Sequence, residues 1–134
     1  MFACYDKIMN EHASFQKCGS CHQTWKAWHD FVADPGVRLL GFQGSERYPD
    51  TNLLVFEHRC GTSISILAKR LRHILPKAEQ EIALPILYNS ETCNQFCSKI
   101  ENLKACDRDC INARDRKLII KVLEMKKAGA GSKH

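Results

Sequence analysis

Apolar residues fall into short runs and alternations up to about position 89, and into helical spacing after it. Ser14 to Lys17 predicts a short strand leading into a turn. Trp25, Trp28, Phe31 and Val32 fall at helical spacing. They predict a core-facing helix from Thr24 to Ala33, with Thr24 as N-cap and Asp34-Pro35-Gly36 as the stop. Val37 to Phe42 reads as a strand, and Tyr48-Pro49-Asp50 marks a turn. Asn52 to His58 follows as a largely buried strand. Thr62 to Ile66 alternates polar and apolar, as a half-buried strand does. Ile64, Leu67, Leu71, Ile74 and Leu75 also fit a helix, so a helix is placed from Leu67 to Leu75, ended by Pro76. Lys77 to Asn89 is a connector laid over the core.

From Ser90 the pattern predicts two helices. The first runs from Thr92 to Lys99, with Thr92 and Gln95 as a capping box. The second runs from Cys106 to Lys127 and carries one broad apolar face: Ile111, Leu118, Ile119, Val122, Leu123 and Met125. The expected fold is therefore α+β, a small antiparallel sheet with packed helices followed by a C-terminal helical hairpin. Residues 1–89 form the first unit, 90–127 the hairpin, and 128–134 an unstructured tail. A hairpin with a short first arm leaves Leu118, Ile119, Val122, Leu123 and Met125 in need of cover from the sheet, a protein partner or a second copy. Lys117, Lys121 and Lys126 would flank that stripe in solvent.

With 134 residues, one main domain with a small appendage is expected. No apolar run approaches the roughly 18 residues of a membrane span. Met1 to Lys7 lacks the basic and apolar regions of a secretory signal, so a cytoplasmic protein is expected. The net charge of +5 is spread along the chain. Its densest stretches, Lys69-Arg70-Leu71-Arg72-His73 and Arg114-Asp115-Arg116-Lys117, read as solvated helix faces. They also leave nucleic-acid binding open.

Cysteine usage changes the picture most. Eight cysteines in a reducing compartment point to metal or redox work more than to structural disulfides. Cys18-Gly19-Ser20-Cys21 can turn back on itself and supply two thiolates to one ion. His58-Arg59-Cys60-Gly61 offers the rest, and Cys18, Cys21, His58 and Cys60 make a Cys₃His set suited to zinc. His22, His12 and Cys4 are substitutes for the fourth place. A second set is Cys93, Cys97, Cys106 and Cys110, two pairs each spaced i, i+4. Its four sulfurs could hold zinc, an iron–sulfur cluster, or two nested disulfides, Cys93–Cys110 and Cys97–Cys106.

The knuckle and later turn resemble zinc ribbons and rubredoxins over about a third of the chain, although a second Cys-x-x-Cys is missing. Cys18-Gly19-Ser20-Cys21-His22 also matches the haem-attachment motif of c-type cytochromes. That resemblance implies haem held by Cys18 and Cys21, with His22 as proximal ligand. The nested pairs resemble the twin Cys-x₃-Cys chaperones of the mitochondrial intermembrane space, with a shorter spacer. Taken together with Asn112-Ala113-Arg114, these motifs look like a small bacterial cysteine-rich metal-binding family, which implies a fold but no activity.

The reading is a metal-binding protein with two cysteine-based sites, acting as an interaction or regulatory module. The alternative is a redox protein, either an iron–sulfur or haem carrier or a thiol switch. No nucleophile with an oriented base appears, and Gly41-Phe42-Gln43-Gly44 is a poor phosphate loop.

Overall fold

The computed structural model describes residues 14–131. Cys4 and His12 therefore lie outside the described residues. Two antiparallel sheets are present. β1 (Gln16–Lys17) pairs with β2 (Thr24–Trp25) around the first cysteine turn. β3 (Val37–Gln43), β4 (Leu53–His58) and β5 (Ser63–Leu67) form a meander in the order β3-β4-β5. The helices are α1 (Trp28–Ala33), α2 (Lys77–Gln80) and α3 (Ile111–Gly131). The fold is α+β, as the periodicity predicts, and among the described residues no helix is long and apolar enough to cross a membrane.

Strand alternation decides what faces inward. Leu54, Phe56 and His58 share one face of β4, and Ile64 and Ile66 share that of β5. Phe31 of α1 packs edge-on against Trp25 and Phe56, each at 4.9 Å between ring centroids. Leu118, Ile119 and Val122 of α3 complete the same core. The segments before and after residue 89 thus share one core, and most of the stripe expected to seek a partner is covered within the chain. Met125 packs against that core, while Leu123 stays 39% exposed.

Several local expectations need correction. Thr24 is in β2, and α1 starts only after Ala27, because pairing of Gln16 with Trp25 holds the segment extended. Leu67 to Leu75 forms two 3₁₀ turns, Ala68–Arg70 and Arg72–Ile74. The first arm of the hairpin, Thr92 to Lys99, reduces to a 3₁₀ turn at Phe96–Ser98, preceded by Gln95 at φ 65°. A left-handed residue in the middle of the segment ends any α-helix there. The last helix begins at Ile111, after Cys106 and Cys110, and continues to Gly131, into the stretch expected to be an unstructured tail. Lys126 does not stay solvated; its ammonium donates to the carbonyls of Val32, Asp34 and Val37, and burial lowers its pKa.

Of the two basic stretches, Lys69, His73 and Lys117 are exposed as expected, but the rest of the second is not a solvated face. Asn52, Asn112, Arg114, Asp115 and Arg116 are all buried. Asp115 accepts from Arg72 Nε (2.9 Å) and Nη2 (2.8 Å), Arg114 Nε (2.9 Å) and Asn52 Nδ2 (2.9 Å). Charges separated widely in sequence neutralise one another between α3 and the 3₁₀ turns. This lets a polar first turn of the helix be buried.

Candidate metal centre

Both turns that carry the ligands are backbone-closed. The N–H of Cys18 donates to Gln23 O (2.8 Å), and that of His22 to Cys18 O (3.0 Å), with His22 at φ 66°. The N–H groups of Cys21 and Ser20 point at the Cys18 sulfur and lower its pKa against the cost of burial. In the second turn the N–H of Gly61 donates to His58 O, and that of His58 to Thr62 O, both at 2.8 Å. Gly61 sits at φ 90°, where a side chain would be strained. The hydroxyl and N–H of Thr62 both turn towards Cys60, and with help from His58 and Cys18 they bring its thiol down to about 6.

The sheet then brings the two turns together. β4 ends at His58 on the core-facing side of the strand, and the next turn folds Cys60 back beside it. Cys18 Sγ lies 3.6 Å from Cys60 Sγ, Cys21 Sγ lies 3.6 Å from His58 Nδ1, and His58 Nδ1 lies 3.3 Å from Cys60 Sγ. All four donor atoms lie within 4.8 Å of one another, the one such group of three or more among the described residues. Zinc bonds of about 2.3 Å to sulfur and 2.0 Å to nitrogen give a tetrahedron with edges of about 3.8 Å between sulfurs and 3.5 Å between sulfur and nitrogen. The observed separations match that size, so these residues can hold a metal ion.

The surroundings orient the ligands. His58 Nε2 lies 3.0 Å from Gln23 Oε1. The amide oxygen can only accept, so the ring proton sits on Nε2 and the Nδ1 lone pair faces the sulfurs. Gln23 Nε2 in turn donates to Asp34 Oδ2 (3.1 Å), which also accepts from Trp25 Nε1 (2.8 Å). Trp25 stacks edge-on against His58 at 5.1 Å. Burial would lower the His58 pKa, but contacts with Cys60 and Cys18 outweigh it and raise it. For Cys21 the Gln23 N–H lowers the pKa, and burial with the neighbouring Cys18 and Cys60 overcomes this and raises it.

Trp25 packs against His58 from β2 rather than from the predicted helix, and Gln23 and Asp34 support the ligands although no sequence motif marks them. Gln23 belongs to no ligand motif, and Asp34 was legible only as part of a helix stop. His22, the alternative ligand and haem candidate, is exposed and stands outside the four-residue group. Cys93, Cys97, Cys106 and Cys110 are free thiols, and no three of them lie within 4.8 Å of one another. The helix face that was to align Cys93 with Cys97 does not form. Each sulfur has its own neighbour: Gln95 N–H for Cys93 (3.3 Å), Arg116 Nη1 for Cys97 (4.0 Å), Asn94 Oδ1 for Cys106 (3.5 Å) and Leu87 N–H for Cys110 (3.2 Å). No protein-family model matches this chain, and neither a curated protein nor a solved structure matches it.

Proposed function

We propose that the chain is a zinc-binding protein in which Cys18, Cys21, His58 and Cys60 hold one structural ion, and that the folded module serves in interaction or regulation. The observation that carries this reading is the agreement of three ligand separations, 3.6, 3.6 and 3.3 Å, with the edges of a zinc tetrahedron. Four protein donors fill the coordination shell and leave no open position for a substrate, which favours a structural over a catalytic ion. The close grouping suits one ion; a polynuclear cluster binds its sulfurs to different irons and spreads them wider. A c-type haem would commit Cys18 and Cys21 to thioether bonds, whereas here they face Cys60 and His58.

Metal analysis and an absorption spectrum of protein purified without oxygen test the proposal. One zinc per centre and no visible band are expected; a brown cluster spectrum or a Soret band overturns it. A thiol–disulfide switch is the second reading, favoured by the 3.6 Å separation of the Cys18 and Cys60 sulfurs. A peroxide-class oxidant would take the two electrons as the S–S bond forms, and zinc would leave. Zinc release on peroxide treatment, restored by a thiol reductant, distinguishes that behaviour from a purely structural centre.

A further inference from the structure

Arg116 is fully buried, yet among the described residues no carboxylate lies within 4.0 Å of its guanidinium. Nε donates to Lys104 O (2.9 Å), and Nη2 donates to Asn102 O (2.7 Å) and Lys104 O (2.5 Å). The plane lies near the rings of Phe42 and Phe96, and Nη1 is directed at Cys97 Sγ, 4.0 Å away. The hydrogen bonds are satisfied, but among the described residues no ion pair balances the charge. A buried cation without a counter-charge is strongly unfavourable.

Of Cys93, Cys97, Cys106 and Cys110, Cys97 stands beside this guanidinium, and short contacts link the segments that carry the others. Asn94, the neighbour of Cys93, touches the Cys106 sulfur. Leu87 and Tyr88 tie the same short stretch to Cys110 Sγ and to the carbonyl of Cys97, each at 3.2 Å. We propose that Cys93, Cys97, Cys106 and Cys110 form a second metal site, a tetrathiolate for a thiophilic divalent ion such as zinc, with Arg116 as its buried counter-charge.

Binding one Zn²⁺ displaces four thiol protons and leaves a centre of net charge −2 beside the guanidinium. Two disulfides would be neutral and would leave Arg116 as unbalanced as four thiols do. The sulfurs stand farther apart here than an ion requires, and the segment can adjust. From Glu81 to Cys110 it has only the Phe96–Ser98 turn as regular structure, and Cys110 alone joins the buried hydrophobic residues. A stretch of that length without regular structure is uncommon in a compact domain, and a metal would give it order.

Cobalt titration and zinc quantitation of the full chain, purified without oxygen, test this. Two equivalents are expected for wild type, and one each for the double variants C18S/C60S and C97S/C106S. Arg116→Gln should weaken uptake at the second site about tenfold or more, leave the first unchanged, and be largely rescued in Arg116→Lys. A single wild-type equivalent that disappears with C18S/C60S overturns the second site and leaves the first. A single equivalent that disappears with C97S/C106S does the reverse. If either double variant fails to fold, the wild-type stoichiometry and the other variant decide. Disulfide-bonded Cys93–Cys110 and Cys97–Cys106 in protein kept free of oxygen also overturns it.

Discussion

Gln23 Oε1 accepts the Nε2 proton of His58 at 3.0 Å, and this one contact decides which imidazole nitrogen faces Cys21 and Cys60. Gln23→Leu removes the acceptor and frees the ring to rotate. Loss of such an outer partner weakens metal binding by about 10–100-fold. Competition with a chromophoric chelator should show that loss, while the first-site stoichiometry at saturating zinc is unchanged. Unaltered affinity would show that Gln23 does not orient the ligand.

Replacing a ligand should cost stability only when metal is present. A hundredfold loss of zinc affinity in Cys60→Ser, at an exposed ligand, corresponds to about 2.7 kcal/mol of linked stability, and roughly 10 °C in Tm for a chain of this size. Thermal melts in zinc should separate wild type from variant by that amount. The curves should converge in chelator; equal melts in zinc would remove the structural role of the site.

Asp34 sets a pH dependence outside the ligand shell. Partial burial would raise its pKa, but hydrogen bonds from Trp25, Gly36 and Gln23 hold it below the ordinary 3.8. A depressed folded value means that the carboxylate stabilises the protein above the ordinary pKa. That stability is lost as pH falls through the folded value. Asp34→Asn should therefore lower Tm at neutral pH by the equivalent of about 1 kcal/mol or more. The gap between the two proteins should close on acidification below the ordinary carboxylate range. A gap that persists there would locate the effect in packing rather than in charge.

Asp115 is fully buried and pairs with both Arg72 and Arg114, and Arg72 also pairs with Asp50. Asp115→Ala leaves two guanidinium groups without their shared acceptor and should cost about 3–5 kcal/mol in denaturant unfolding. Lys117, by contrast, pairs with Glu79 through a half-exposed side chain, and Lys117→Ala should change stability by less than about 1 kcal/mol.

Gly41 is required by a close approach of chain to chain. A Cβ there would overlap the carbonyl of Ile100, which accepts the Phe42 N–H at 2.8 Å. Gly41→Ala should push the Ile100 segment off β3, cost about 1–3 kcal/mol, and open residues 90–110 to limited proteolysis. Gly19→Ala meets nothing within 4 Å and serves as the neutral control.

What was legible in the sequence was local. Cys-x-x-Cys and Cys-Gly announce backbone turns whose N–H groups serve a sulfur, and those need only neighbouring residues. The apolar run from Leu53 to Phe56 predicts β4, and the apolar periodicity of residues 118–122 predicts the long helix. Tertiary structure decided what depends on distant partners. The β3–β4 register, pairing Val37 with His58, brings the second turn beside the first, and Gln23 becomes a partner of the histidine only then. Burial of Arg114, Asp115 and Arg116 was hidden for the same reason. A charged triplet on a helix reads as solvated until Arg72, forty-three residues from Asp115, supplies the opposite charge. The i, i+4 spacing of Cys93 and Cys97 was ambiguous, since it aligns sulfurs only if the segment is helical. There a left-handed residue, Gln95, ended the helix before it could form.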